Sequence, residues 1–263
     1  MMRASIRLSV LAMLLLGVAV PASAQVVHSL NFGVGVFMPK PFDGRVLGDV
    51  LVADLTRPEL ASLPGFTDSL DFDGDLFGPF DKDIQKFRSA PLFAEWILGF
   101  GRHIEVGLGF SYSNKKVSSV YRDILDGHGT VTEADDTEIR QDLRLRMIPL
   151  SGVVRFVFGP QTGVQGYFGG GVTAVVYRYS EVGQFVDADD LSVFNGNFVA
   201  SGTALGGVVL GGARFGLGGD VYALTLEGRY QMATGKTPGA PDFLGDKIDL
   251  RGSSINFGLL IRY

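Results

Sequence analysis

The chain has 263 residues, with 37 Gly, 20 Phe, one Trp and no Cys, and its 23 basic against 28 acidic residues leave a net charge of −5. The lack of cysteine excludes a disulfide scaffold, a Cys-based zinc site, a Cys nucleophile and a lipid-modified N-terminal Cys. The acidic balance argues against a nucleic-acid partner, and beyond the N-terminus no run of about 18 apolar residues exists to make a membrane helix.

Arg3 and Arg7 precede an apolar stretch from Leu8 to Val20, and Ala22-Ser23-Ala24 follows. That is the layout of a secretory signal peptide over residues 1–24, cut before Gln25. Its removal leaves 21 basic against 28 acidic residues, a mature charge near −7.

From there the period is two. Leu30, Phe32, Val34 and Val36 alternate with Asn31, Gly33 and Gly35. Ile104, Val106, Leu108, Phe110 and Tyr112 alternate with Glu105, Gly107, Gly109 and Ser111. Tyr222, Leu224, Leu226, Tyr230 and Met232 face away from Thr225, Glu227, Arg229 and Gln231, and the chain closes on Ile255, Phe257, Leu259, Ile261 and Tyr263. Alternation of this kind means strands with one apolar and one polar face. With 89–101, 138–158, 164–180 and 200–217 the count is eight strands. Within 138–158 the apolar parity changes at Pro149, from Leu143, Leu145 and Met147 to Val154, Phe156 and Phe158. A bulge at the proline is the expected cause, since proline cannot donate to a ladder.

Connections alternate in length. The turns at 101–103, 159–163 and 216–220 are short; those at 39–88, 122–137, 181–199 and 233–248 are long. Short turns at one rim and long loops at the other describe a transmembrane barrel. In the first loop, Thr56-Arg57-Pro58-Glu59 has capping-box spacing and predicts one or two helical turns.

A soluble barrel also alternates, with its apolar face inward. Three features favour the membrane. The polar face is rich in Gly and Ser, which suit a narrow lumen. Aromatics recur near strand ends, at Phe37, Trp96, Phe100, Tyr112, Tyr121, Tyr177, Tyr179, Tyr222 and Tyr230, as interface girdles require. The last strand places Phe257, Leu259, Ile261 and Tyr263 at every second position up to the carboxyl end.

That ending resembles the C-terminal signal read by the outer-membrane assembly machinery, with Tyr263 where most members carry Phe. The stretch Arg144-Leu145-Arg146-Met147-Ile148-Pro149-Leu150, a Gly turn, and Tyr167-Phe168-Gly169-Gly170-Gly171 are also similar to the small outer-membrane β-barrel families grouped with OmpA, OmpX and OmpW. The resemblance covers the mature chain, 25–263, as one domain. It implies an all-β, eight-stranded, antiparallel, up-and-down barrel with long extracellular loops and short periplasmic turns. It implies an outer-membrane location, with membrane lipid and the assembly machinery as partners, and no periplasmic domain after strand eight.

The candidate chemistry is sparse. Glu95, Glu105, Arg140, Arg144, Arg146, Glu227 and Arg229 have the parity of the lumen, and buried charges must pair, so a Glu–Arg network is expected, acting as a plug or as a gate. Trp96, Tyr112, Tyr222 and Tyr230 are the interface aromatics. Asp71, Asp73 and Asp75 alternate as calcium ligands do, but the twelfth residue from Asp71 is Lys82 rather than Glu, and a solvated acidic loop is the plainer reading. Of His28, His103 and His128, only His128 lies in a long loop, near Ser118, Ser119, Asp123 and Asp126, and nothing there builds a triad. Gly169-Gly170-Gly171 lies inside a strand with no helix to receive a phosphate. The reading is a non-enzymatic surface protein, without cofactor or metal, whose loops bind an extracellular ligand that the sequence does not name. A narrow channel for small or hydrophobic solutes is the second reading and a lipid-modifying enzyme the third.

Overall fold

The computed structural model describes residues 26–41, 44–51, 84–121, 139–186, 193–239, 242–243 and 245–263. The signal peptide, Thr56 to Glu59, Asp71, Asp73, Asp75 and His128 lie outside them. The strands are β1 (Val26–Pro39), β2 (Leu92–Phe100), β3 (Ile104–Tyr121), β4 (Ile139–Phe158), β5 (Val164–Val186), β6 (Val193–Gly216), β7 (Tyr222–Lys236), β8 (Lys247–Asp249) and β9 (Gly252–Arg262). Every pairing between them is antiparallel. Consecutive strands pair from β1 to β7, β7 pairs with β9, and β9 closes on β1 with Val34 opposite Phe257. The result is a closed ring of eight strands; above it, among the described residues, β3 beyond Tyr112 pairs only with β4 and β6 before Gly206 pairs only with β5. The ninth strand, β8, is a short addition to the far end of β7, pairing Ile248 with Gly235.

Glycine makes the tight turns. Gly101 follows β2 with φ 67° and Gly159 follows β4 with φ 96°, both in the left-handed region that other residues resist. These turns form one rim, the short-turn rim, together with the 217–221 connection.

Alternation places the apolar residues outside. Leu30, Phe32, Val34, Leu108, Phe110, Val154, Phe156, Phe168, Val172, Leu205, Val209, Leu224, Leu226, Ile255 and Phe257 are all exposed. On the inner face of the same strands stand Ser29, Asn31, Glu95, Ser151, Arg155, Thr225, Glu227 and Asn256, all buried. An outer belt of exposed apolar side chains is what lipid tails require, and the polar interior gives the lumen its inward hydrogen bonds.

Three strands are longer than a membrane needs. β4 has 20 residues, β5 has 23 and β6 has 24, against about 10 for a tilted transmembrane strand. The sequence reading of a loop over 181–199 is therefore too generous, because β5 runs to Val186 and β6 starts at Val193. The wall continues well past the apolar belt on the long-loop side.

The expected bulge at Pro149 is absent. The register of β4 against β3 is unbroken from Ile104↔Phe156 to Tyr121↔Ile139, with the ladder lapsing only between Phe110↔Leu150 and Ser113↔Met147, opposite the proline. Pairing with β5 continues through Pro149↔Val175. What changes at Pro149 is the surroundings, not the direction of the side chains. Below it Val154, Phe156 and Phe158 point out towards the belt; above it Leu143, Leu145 and Met147 point in and are buried. Arg144 and Arg146, expected in the lumen, consequently face outward and are exposed.

Candidate functional site

The interior has two layers. In the layer nearer the short turns, charges cross the barrel. Arg155 of β4 donates through Nη2 to Glu95 Oε2 of β2 at 2.5 Å and to Glu227 Oε2 of β7 at 3.0 Å. Arg229 donates to Glu227 Oε1 from Nε at 3.1 Å and Nη2 at 2.9 Å, and from Nη1 to Ser151 Oγ at 3.1 Å. Nearer the rim, Arg214 of β6 holds Glu105 of β3 in a two-pronged pair at 2.7 and 2.6 Å. Tyr167 lies between the two groups. Its hydroxyl donates to Glu227 Oε2 at 3.2 Å, and the guanidinium carbons of Arg214 and Arg155 stand 4.8 and 5.4 Å from its ring centre. Arg155 is 1% exposed, Arg214 2% and Glu95 3%. Gly107 makes the room: a Cβ there would stand 2.7 Å from both Arg155 Nη1 and Glu95 Oε1.

Four of the expected lumenal residues, Glu95, Glu105, Glu227 and Arg229, thus meet in the interior. The side chain of Arg140 lies outside the described residues. The two arginines that complete the network, Arg155 and Arg214, escaped the sequence reading. A signal existed for Arg155, which alternates with Val154, Phe156 and Phe158. Around Arg214 the run of Gly, Ala and Val in β6 dilutes any alternation.

The upper layer is apolar. Val117, Leu143, Leu145, Met147, Val175 and Tyr179 from the wall form one core with Val50, Leu51, Ile84, Phe87, Phe243 and Leu250 from the chain before β2 and after β7. Tyr179, fully buried, packs 6.0 Å from Phe243. Tyr177 donates to Lys236 O at 2.6 Å and accepts from Lys236 N at 2.8 Å. These two tyrosines, expected in an interface girdle, belong instead to this core. Phe37 joins it as well.

A buried ionic latch ties the cap together. Arg45 Nε meets Asp49 Oδ2 at 2.5 Å and Arg45 Nη2 donates to Asp249 O at 2.7 Å. Asp249 N donates to Asp49 Oδ1 at 2.8 Å, Val46 N donates to Asp249 Oδ2 at 3.0 Å, and Arg251 pairs with Asp249. Burial displaces the Asp49 carboxyl above its ordinary value, against the pull of Arg45. At Asp249 burial acts the same way, but the bonds from Arg251 outweigh it and hold that carboxyl below its ordinary value. Between the layers a cavity of about 40 Å³ is lined by Glu95, Ser113, Met147, Arg229, Gln231 and Asn256.

The aromatic positions divide by height. Trp96 and Tyr222 are exposed on the outer face towards the short turns; Tyr112, exposed, and Tyr230, half-buried, lie on the same face towards the long loops. His28 stacks between Trp96 and Tyr263, 5.9 Å from each. His103 contacts Val157 O through Nδ1 at 3.0 Å, inside a short turn. Phe257 and Tyr263 are exposed on the outer face of the closing strand. Among the described residues no group of three or more His, Asp or Glu is placed to hold a metal ion.

Fold and interior together define an eight-stranded transmembrane β-barrel with an internally paired lumen. Solved structures of the same kind resemble it: OprG from Pseudomonas aeruginosa, an outer-membrane protein (12% identity, TM-score 0.48, 91% of this chain and 97% of that one), and Neisserial surface protein A (12%, 0.41, 92% and 99%). A third is Ail, the attachment invasion locus protein of Yersinia pestis, in complex with the heparin analogue sucrose octasulfate (8%, 0.40, 91% and 99%). No protein-family model and no curated protein matches the chain.

Proposed function

We propose that this chain is a non-enzymatic outer-membrane protein with an occluded barrel, and that its capped long-loop end is a preassembled surface for an extracellular partner. One observation carries the reading: guanidinium groups bridge β4 to β2 and β7, and β6 to β3, across a lumen only eight strands wide. Above them the lumen is filled by the apolar core, which orders the chain at the rim where a partner would meet it. The signal-peptide pattern supports export, and the terminal strand ending at Tyr263 supports delivery by the outer-membrane assembly machinery.

The test is refolded protein in a planar bilayer, with heat-modifiable gel mobility as the folding check. A folded barrel that gives no stable conductance steps is the expected result; regular steps from the unmodified chain would overturn the plug. A second reading, passage of small apolar solutes, is favoured by the lapse in the β3–β4 ladder, beside which the cavity is lined by Phe93, Phe110 and Pro149. Vesicle uptake of such a solute, abolished by Pro149→Val, would move the function to that path.

A further inference from the structure

We propose that the outer face of β3, β4 and β5, just beyond the apolar belt, binds phosphate groups of lipid in the leaflet at the long-loop rim. The inference rests on the membrane reading above. On this side the belt ends at a row made of Leu92 paired with Tyr112 and of Ile148 paired with Val176. Two residues further along each strand, Asn114 pairs with Arg146 and Arg146 with Arg178; two further again, Lys116 pairs with Arg144. Lys116, Arg144, Arg146 and Arg178 are all exposed and share one outward face. At about 3.4 Å per residue, the first cations stand about 7 Å past the last apolar row, which is headgroup depth.

Among the described residues this face carries more positive than negative charge. Asp142 is the one carboxylate the described residues bring to these cations, and it pairs with Lys116 at 2.8 Å in an exposed bridge, a weak competitor for either charge. Among the described residues Arg144 Nε donates to Asn114 Oδ1, at 2.9 Å. Arg146 and Arg178 have no carboxylate partner among the described residues. Next to the row, a surface cleft of about 360 Å³ is lined by Lys86, Arg88, Lys115 and Lys116. Guanidinium forks match phosphate oxygens two at a time, and ammonium groups add charge around them. A soluble polyanion would be served by the same charges, but continuity with the apolar belt favours a ligand whose tails lie against Tyr112, Ile148 and Val176.

The test is native mass spectrometry of the refolded mature chain in neutral detergent, titrated with phosphatidic acid and, separately, phosphatidylcholine. Variants are the triple Arg144→Gln, Arg146→Gln, Arg178→Gln and, as a control at the opposite rim, Arg102→Gln. All are checked for heat-modifiable mobility and for insertion into phosphatidylcholine vesicles. The unmodified chain and the control should retain phosphatidic acid about a hundredfold more strongly than the triple variant, at low salt. Equal retention by the triple variant overturns the site, as does an equal loss in the control. Soluble polyphosphate bound through these arginines, without retention of phosphatidic acid, overturns the lipid assignment. A chain that inserts but shows no preference overturns this inference alone; a chain that never inserts overturns the membrane reading with it.

Discussion

The two layers of the interior are built on the same strands with the same side-chain direction, yet their chemistry is opposite. Arg155 and Leu143 both point inward from β4, twelve residues apart. Around Arg155 the outer face is apolar and the inner face carries ions; around Leu143 the outer face carries Arg144 and Asp142 and the inner face is a hydrocarbon core. The medium outside explains the inversion. Where lipid surrounds the wall, burying apolar groups inside gains nothing, and inward polar groups can satisfy one another. Where water surrounds it, apolar groups gain by turning inward, as in any soluble domain.

The comparison can be broken from either side. The largest effect is expected from Arg155→Ala, which leaves Glu227 with Arg229 alone and Glu95 with only the longer 3.7 Å contact to Arg229; loss of one partner of a buried pair costs about 3–5 kcal/mol. Urea titration of the refolded barrel, read by gel mobility, checks it, and a cost near zero would mean that water already solvates this layer. Leu143→Ala should cost about 3 kcal/mol, but in the upper layer. Hydrogen exchange should rise at Val50, Leu51, Phe243 and the upper ends of β3 and β4 while the belt stays protected. Uniform deprotection would show that the layers are one cooperative unit.

A smaller loss, about 1–3 kcal/mol, is expected for Gly107→Ala, whose new methyl must displace Arg155 or Glu95. It should shrink when combined with Arg155→Ala, because one of the two close contacts goes with the guanidinium while that with Glu95 stays. The smallest effect concerns pH. Asp249 is held below its ordinary value of 3.8, so its stabilisation of the latch is complete above that value and is lost as pH falls through its lowered pKa. Asp49 is displaced upward, so its share has the opposite sign and is lost as pH rises through its raised pKa. Below pH 3.8 the Asp49 share is already complete and only the Asp249 share still changes, so in that range protease access to the 44–51 segment should rise as pH falls in the unmodified protein. In Asp249→Asn it should be high already at neutral pH and change little below 3.8. A variant that still loosens steeply in acid would place the sensitive carboxylate elsewhere.

Several particulars were legible in one dimension. The alternation of Leu30 to Val36 and of Ile255 to Tyr263 foretold the two strands that close the ring, and Glu95, Glu105, Glu227 and Arg229 carried the parity of the lumen. Arg144 and Arg146 were misplaced because alternation reports only that two faces differ, and a parity change can mean a bulge or a change of medium. Tyr177 and Tyr179 were misplaced for the same reason: an aromatic near a strand end suits a bilayer interface or a core above it.

The sequence by itself determined the period of two, the division into short turns and long connections, and the outward apolar belt, because each is a local pattern imposed by backbone geometry and lipid. Only the tertiary structure decided that Arg155 and Arg214 complete the lumenal network, that residues near Asp49 and Asp249 are latched together, and that the wall changes its surroundings at Pro149. Those depend on which strands face one another across the ring, and pairings between residues up to about 200 positions apart leave no local trace.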